Sequence, residues 1–181
     1  MIIFISGGAK NGKSTIAQDL TVQLSAGGTH YYVATMIPAD EEDNERIRRH
    51  IEDRDGLGFE TIEMGRNILS CLETADCGGT FMLDSVTALL LNELFPDPLC
   101  PEMDVESARR CGNDVVTFAQ SVKNAVIVSD FIYSDAARYD EVTETYRKCL
   151  ADIDRKLAAV SDVVIEVAAG NMILHKGELS G

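Results

Sequence analysis

Ile2-Ile3-Phe4-Ile5-Ser6-Gly7-Gly8-Ala9-Lys10-Asn11-Gly12-Lys13-Ser14-Thr15 opens the chain's readable pattern. Four consecutive apolar residues predict a strand buried on both faces of a parallel sheet. A glycine-rich turn follows, and then Ile16, Leu20 and Leu24 recur at helical spacing until Gly27-Gly28. Gly7, Gly12, Lys13 and Ser14 fit G-x-x-x-x-G-K-S, the phosphate-binding P-loop. Glycines let successive backbone N–H groups curl around phosphate oxygens, and the helix N-terminus adds its partial positive charge. In that arrangement Lys13 reaches the β- and γ-phosphates from a solvent-facing position, and the Ser14 hydroxyl ligates Mg²⁺. The expected nucleotide-binding stretch is Gly7, Gly8, Ala9, Lys10, Asn11, Gly12, Lys13, Ser14 and Thr15, with Ala9 and Lys10 at variable positions.

Downstream, apolar runs of strand length alternate with helical stripes. Strands are expected at Tyr31–Ala34, Phe59–Ile62, Thr80–Leu83, Ala125–Val128, Val163–Val167 and Met172–Leu174, the last two as a hairpin through Gly170-Asn171. Helices are expected at 41–54, 68–72, from Ser85 through Leu94, at 105–122, and from Tyr139 to Val160; Pro96, Pro98 and Pro101 make 95–103 a loop. Such alternation implies an α/β fold, a mainly parallel sheet with helices on both faces, in one domain spanning 1–181.

Composition narrows the function classes. Thirty acidic against sixteen basic residues give a formal charge of −14, which disfavours a nucleic-acid partner. Cys71, Cys77, Cys100, Cys111 and Cys149 are odd in number and unpaired in spacing, so a reducing compartment is expected. His30, His50 and His175 do not lie at metal-ligand spacing from a cysteine, which argues against structural zinc. The apolar N-terminal run is too short for a signal sequence and no stretch reaches membrane-span length, so a cytoplasmic protein is expected.

Two further clusters carry chemistry. Asp84 ends the Thr80–Leu83 strand, at the carboxyl edge where open α/β sheets bind ligands; it reads as a magnesium-holding carboxylate or as the N-cap of the next helix. Glu42, Arg46, His50 and Arg54 recur every four residues and share one helix face. Two guanidinium groups beside an imidazole can read an anion, and neutral imidazole can attack phosphorus; a solvated charged face has the same spacing.

Taken together, these segments resemble the bifunctional adenosylcobinamide kinase / adenosylcobinamide-phosphate guanylyltransferase family of cobalamin biosynthesis, over nearly the full chain. Besides the P-loop, Tyr32-Val33-Ala34-Thr35 is similar to its Y-I-A-T segment. Arg46-Ile47-Arg48-Arg49-His50-Ile51-Glu52-Asp53-Arg54 matches R-I-x-x-H-x-x-x-R. Phe81-Met82-Leu83-Asp84-Ser85-Val86-Thr87, with Asn92 beyond, resembles L-L-x-D-x-x-T followed by T-N-L; Tyr146-Arg147 and Leu157-Ala158-Ala159 before Asp162 match the last helix and strand. The resemblance implies a RecA-like sheet, Mg²⁺, ATP or GTP as phosphoryl donor, and a homotrimer. It makes His50 the residue that accepts GMP, with Arg46 and Arg54 beside the nucleotide, Lys13 on the phosphates, and Ser14 and Asp84 on the metal. The implied substrates are adenosylcobinamide and GTP. The chain departs from the pattern in two places. The N-E-V-G and G-I-V-P stretch reads Asp130-Phe131-Ile132-Tyr133-Ser134-Asp135-Ala136-Ala137, and G-x-x-N-Q reads Ala151-Asp152-Ile153-Asp154-Arg155. Rival expectations are a P-loop small-molecule kinase without guanylyl transfer, and a nucleotide-binding protein that has lost its chemistry.

Overall fold

The computed structural model describes residues 1–97, 102–133 and 136–179. Pro98 and Pro101 of the expected loop, Cys100, and Ser134-Asp135 of the departing segment lie outside the described residues.

Seven strands form one sheet in the order β3-β2-β4-β5-β1-β6-β7. They are β1 (Ile2–Gly7), β2 (His30–Ala34), β3 (Glu60–Glu63), β4 (Thr80–Asp84), β5 (Asn124–Asp130), β6 (Val163–Ala168) and β7 (Asn171–Lys176). All neighbouring strands run parallel except β6 and β7. The turn joining that antiparallel pair is Ala169-Gly170, both at positive φ, as a tight two-residue hairpin requires. It falls one residue earlier than expected, and Asn171 already belongs to β7.

The helices are α1 (Lys13–Ser25), α2 (Glu41–Asp53), α3 (Cys71–Thr74, entered by a 3-10 turn at Ile68–Ser70), α4 (Val86–Leu94), α5 (Val105–Ser121) and α6 (Glu141–Val160). Tyr139, expected at the start of the last helix, precedes it, because Asp140 caps that helix by accepting from Thr143 N–H.

Side-chain alternation along the central strands builds two cores. Ile3 and Ile5 of β1, Met82 of β4 and Val126 and Val128 of β5 face α1 through Ala17 and Leu20. Phe4, Phe81, Leu83, Ala125 and Ile127 face the opposite layer, where α4, α5 and α6 contribute Leu89, Leu90, Val115, Phe118, Leu150 and Leu157. Both faces are covered, which is why β1, β4 and β5 are apolar without interruption. Helix α2 is the exception: none of its residues is buried. Its stripe is charged because it stands away from both cores, over the carboxyl ends of the parallel strands.

A nucleotide-sized cavity at the carboxyl edge

The turn between β1 and α1 needs its two signature glycines for different reasons. A Cβ on Gly7 would lie 2.4 Å from the carbonyl oxygen of Val167 on β6, so the close passage of two backbones excludes any side chain. Gly12 has φ of +84° and serves as the N-cap position of α1. Helices α2, α4, α5 and α6 are each capped by a side chain, from Asp40, Ser85, Asp104 and Asp140. Helix α1 has no side-chain cap and no acidic residue in its first turn. Its leading amides are therefore available to an anion.

Lys13 differs from expectation. It is 6% exposed rather than solvent-facing, and its Nζ lies 2.8 Å from Oδ1 of Asp130 and donates a 2.7 Å hydrogen bond to the carbonyl of Gly8. An ammonium group this buried requires a counter-charge, and the end of β5 supplies it. Asp130 is held in turn by Thr87, whose hydroxyl accepts from the Asp130 backbone N–H at 2.9 Å.

Asp84 ends β4 as expected, and its two readings separate. Ser85, not Asp84, caps α4, accepting from Ala88 N–H at 3.4 Å. The Asp84 carboxylate instead accepts a 2.9 Å hydrogen bond on Oδ2 from the hydroxyl of Tyr32 on β2. The strand ends are laced by Thr35, whose hydroxyl donates to the Ser85 carbonyl and accepts from Ser85 N–H. Asn92 donates to the carbonyls of Thr35 and Gly65. The A-T and T-N-L positions are thus architectural, holding β2 and β4 in place around Asp84.

On α2, Arg48 pairs with Glu41 and Arg49 with Glu45, so part of this helix is the ion-paired face that its spacing also allowed. Arg46, His50 and Arg54 line the cavity opposite the P-loop. Arg54 ends the helix rather than continuing it. Its guanidinium donates to the main-chain carbonyl of His50 at 2.7 Å and to Thr61 Oγ1 at 3.2 Å, and it lies 4.2 Å above the Tyr32 ring.

One cavity of about 870 Å³ joins these groups, within the size range of small-molecule sites. Ala9 through Thr15 of the loop line it, with Asp84, Asp130, Arg46, His50 and Arg54. Gly7 and Gly8 lie outside the lining, Gly7 packed under β6 and Gly8 turned to Lys13. Asp130 and Tyr32 are the site residues that sequence reasoning passed over. The signal for Asp130 was available, since like Asp84 it is an acid immediately after a buried strand. Tyr32 is marked in the sequence only as the first residue of the Y-I-A-T-like segment, with no role attached; its neighbour Tyr31 points to the other face and stacks on Phe81 at 4.6 Å.

Of the departing segments, Tyr133 and Asp154 meet behind the P-loop. Asp154 is 3% exposed and accepts from the Tyr133 hydroxyl on Oδ2; its Oδ1 and the hydroxyls of Ser6 and Ser129 are buried without a hydrogen-bond partner among the described residues. Burial pushes the Asp154 carboxyl up to about 7, with the nearby Asp130 charge acting in the same direction.

A family model described as cobinamide kinase / cobinamide phosphate guanyltransferase matches residues 3–174. A curated relative, the bifunctional adenosylcobalamin biosynthesis protein CobU of Salmonella typhimurium, is 26% identical over 94% of this chain and 97% of its own length. Among solved structures, an ATPase domain superposes with a TM-score of 0.57 at 10% identity, covering 97% of this chain and 76% of that one. A KaiC-like protein of Pyrococcus horikoshii OT3 superposes with 0.50 at 12% identity, covering 97% and 78%. At those identities the structural likeness establishes the fold, that of RecA- and KaiC-like P-loop ATPases.

Proposed function

Because this chain belongs to the cobinamide kinase / cobinamide phosphate guanyltransferase family, we propose that it runs both family reactions in the one cavity, with His50 as the covalent carrier of GMP. The observation that supports the reading is the convergence of the P-loop, Asp84 and the Arg46/His50/Arg54 set on a single space. In the first reaction, the hydroxyl on the aminopropanol arm of adenosylcobinamide attacks the γ-phosphorus of ATP or GTP and the nucleoside diphosphate leaves. The α1 amides and Lys13 stabilise charge on the phosphate oxygens, so catalysis is chiefly positioning and electrostatics. For that role Lys13 exchanges Asp130 for a phosphate.

In the second reaction, an imidazole nitrogen of His50 attacks the α-phosphorus of GTP, the bond to the β-phosphate oxygen breaks, and pyrophosphate departs. The corrinoid phosphate oxygen then attacks the phosphoramidate, taking GMP and freeing the imidazole. Arg46 and Arg54 neutralise the charge that grows on the α-phosphate.

The donor set suits magnesium. The Ser14 hydroxyl and the Asp84 carboxylate are among the oxygens lining the cavity, beside the acids Glu42, Asp53, Glu63 and Asp130, and among the described residues no cluster of three or more metal-ligating side chains occurs. That is the pattern of an ion held by few protein oxygens and completed by phosphates. Bound there, Mg²⁺ would supply charge neutralisation at the triphosphate. No helix among the described residues is long and apolar enough to cross a membrane, and we place the enzyme in the cytoplasm, where its triphosphates are made. We also propose a homotrimer. The exposed Met172, Ile173 and Leu174 of edge strand β7 are apolar surface that assembly could cover.

Incubation with α-labelled GTP, followed by peptide mapping, tests the central step. Label should map to His50, resist base and fall off in acid. His50→Ala should take up no label yet still phosphorylate adenosylcobinamide. Label on His30, His175 or a lysine would refute the assignment. A wild-type protein that binds GTP and phosphorylates the corrinoid but never labels would make this a kinase without guanylyl transfer, and one that turns over no corrinoid a degenerate nucleotide-binding protein.

A further inference from the structure

Two adjacent tyrosines on β2 have separate fates. Tyr31 stacks on Phe81, and its hydroxyl accepts from the Asp76 N–H, so it is spent within the fold. Tyr32 turns to the α1 face and is 4% exposed. Phe59 meets its ring edge-on at 6.1 Å, fixing the plane. Its hydroxyl donates to Asp84 Oδ2 at 2.9 Å, and its face carries the Arg54 guanidinium at 4.2 Å. One rigid, buried ring therefore touches a residue from each half of the site.

Each contact constrains something that has few other constraints. Among the described residues, Tyr32 is the one side-chain hydrogen-bond donor to Asp84, so its hydroxyl decides which carboxylate oxygen turns away from the strand and toward the cavity. On the other side, α2 buries no residue of its own. Its carboxyl end is seated through Arg54, which grips the His50 carbonyl and Thr61 and rests on the Tyr32 ring. A guanidinium over an aromatic face gains from the ring quadrupole, and the planar contact orients the fork.

We propose that Tyr32 is a positioning residue shared by both reactions: its hydroxyl orients Asp84 for the metal-dependent phosphoryl step, and its ring seats Arg54, and with it the His50 end of α2, for guanylyl transfer. This rests on the roles assigned above to Asp84 and His50.

The two functions are separable by substitution. Tyr32→Phe keeps the ring and removes the hydroxyl; the Mg²⁺ concentration giving half-maximal phosphorylation of adenosylcobinamide should rise about tenfold, near the low end of what one hydrogen bond to a charged group contributes. The same substitution in an Asp84→Asn background should add no further shift, because the hydroxyl acts through that carboxylate. Tyr32→Leu removes the ring as well. At saturating Mg²⁺ its labelling by α-labelled GTP should be about tenfold slower than that of Tyr32→Phe, the scale of a partly desolvated cation–π contact. Arg54→Gln, which leaves Tyr32 intact, should reproduce that loss and serves if Tyr32→Leu does not fold. An equal Mg²⁺ shift in both backgrounds would overturn the Asp84 half of the proposal. Equal labelling rates for the Phe and Leu variants, or undiminished labelling of Arg54→Gln, would overturn the Arg54 half. A wild type that phosphorylates but never labels would instead remove the His50 reading and the Arg54 half with it, while the Mg²⁺ measurement still decides the other.

Discussion

The phenolic hydroxyl of Tyr133 donates a 3.0 Å hydrogen bond to Oδ2 of Asp154, joining the two stretches in which the chain departs from its family's pattern. The substitutions are coupled: where the pattern has a glycine and an asparagine, this chain has a phenol and a carboxyl group in contact. The pair lies behind the P-loop rather than in the cavity, as neither residue lines it. This part of the departures lies beneath the phosphate loop, whereas Asp130, the first residue of the same stretch, lines the cavity and pairs with Lys13.

Asp154 should make stability fall as pH rises. Its carboxyl titrates near 7 in the folded chain against an ordinary value of 3.8, so between those values the folded state binds the proton that the unfolded state has lost. The penalty grows across that window and is complete above 7, with an upper limit of about 4 kcal/mol at 1.36 kcal/mol per unit. Asp154→Asn, a neutral isostere, should raise the melting temperature at pH 8 and change it little at pH 3.5, below the ordinary carboxyl value where no penalty has yet built up. Equal shifts at both pH values would show that the carboxyl is ionised throughout.

The Lys13–Asp130 contact leads to a prediction about ligand dependence. Asp130→Asn leaves a buried ammonium without its counter-charge. Because Asp130 is partly open to water, the loss should be about 1–3 kcal/mol, below that of a fully enclosed pair. Triphosphate and Mg²⁺ should recover most of it, since phosphate oxygens replace the missing carboxylate. Thermal unfolding with and without GTP reads the difference directly, and a deficit that persists at saturating nucleotide would show that Lys13 does not exchange partners.

Lys13→Ala should abolish phosphoryl and guanylyl transfer together. Undiminished turnover in either reaction would end the P-loop assignment. Removing Mg²⁺ with a chelator should stop both steps, and Asp84→Asn should raise the metal requirement of the first.

The two neighbouring glycines of the loop should respond unequally. Gly7→Ala drives a methyl into the Val167 carbonyl at 2.4 Å, where only strand separation can relieve it, at a cost of about 2 kcal/mol or more. Gly8→Ala meets only the Asn11 amide at 2.9 Å, a side chain that can swing away. Melting temperatures that fall equally would contradict this account.

Assembly is checked by light scattering: a trimer should give about three times the 19.7 kDa chain mass. Charging the β7 edge with Ile173→Lys should weaken it if that strand is at the contact.

Much of this architecture was legible because it follows from local rules. Uninterrupted apolar runs marked β1, β4 and β5, and helical stripes marked α5 and α6. The P-loop was legible because two glycine positions are demanded by backbone geometry alone. Charge arithmetic was less informative. Arg46, His50 and Arg54 share their helix with the ion-paired Arg48 and Arg49; Arg49 lines the cavity as well and Arg46 lies 4.0 Å from Asp43, so spacing alone does not separate ligand-facing charge from a solvated face. Lys13 was misread as solvent-facing because its partner lies 117 positions along the chain, on a strand whose adjacency to β1 no local pattern announces.

Strand order has one more consequence. With β5 inserted between β1 and β4, the glycine loop and Asp84 stand two strand spacings apart, about 9.6 Å at the usual separation. Any ligand that touches both must arch over the end of β5. Whatever residue closes that strand becomes the keystone beneath the arch, exposed to reactive phosphates whether or not it takes part. A neutral amide there would leave the bridge's charge as it is; the carboxylate of Asp130 sets an opposing charge under it. A single inherited position can thus adjust how firmly a polyphosphate is held, with no change to the loop or to the helix that bears His50.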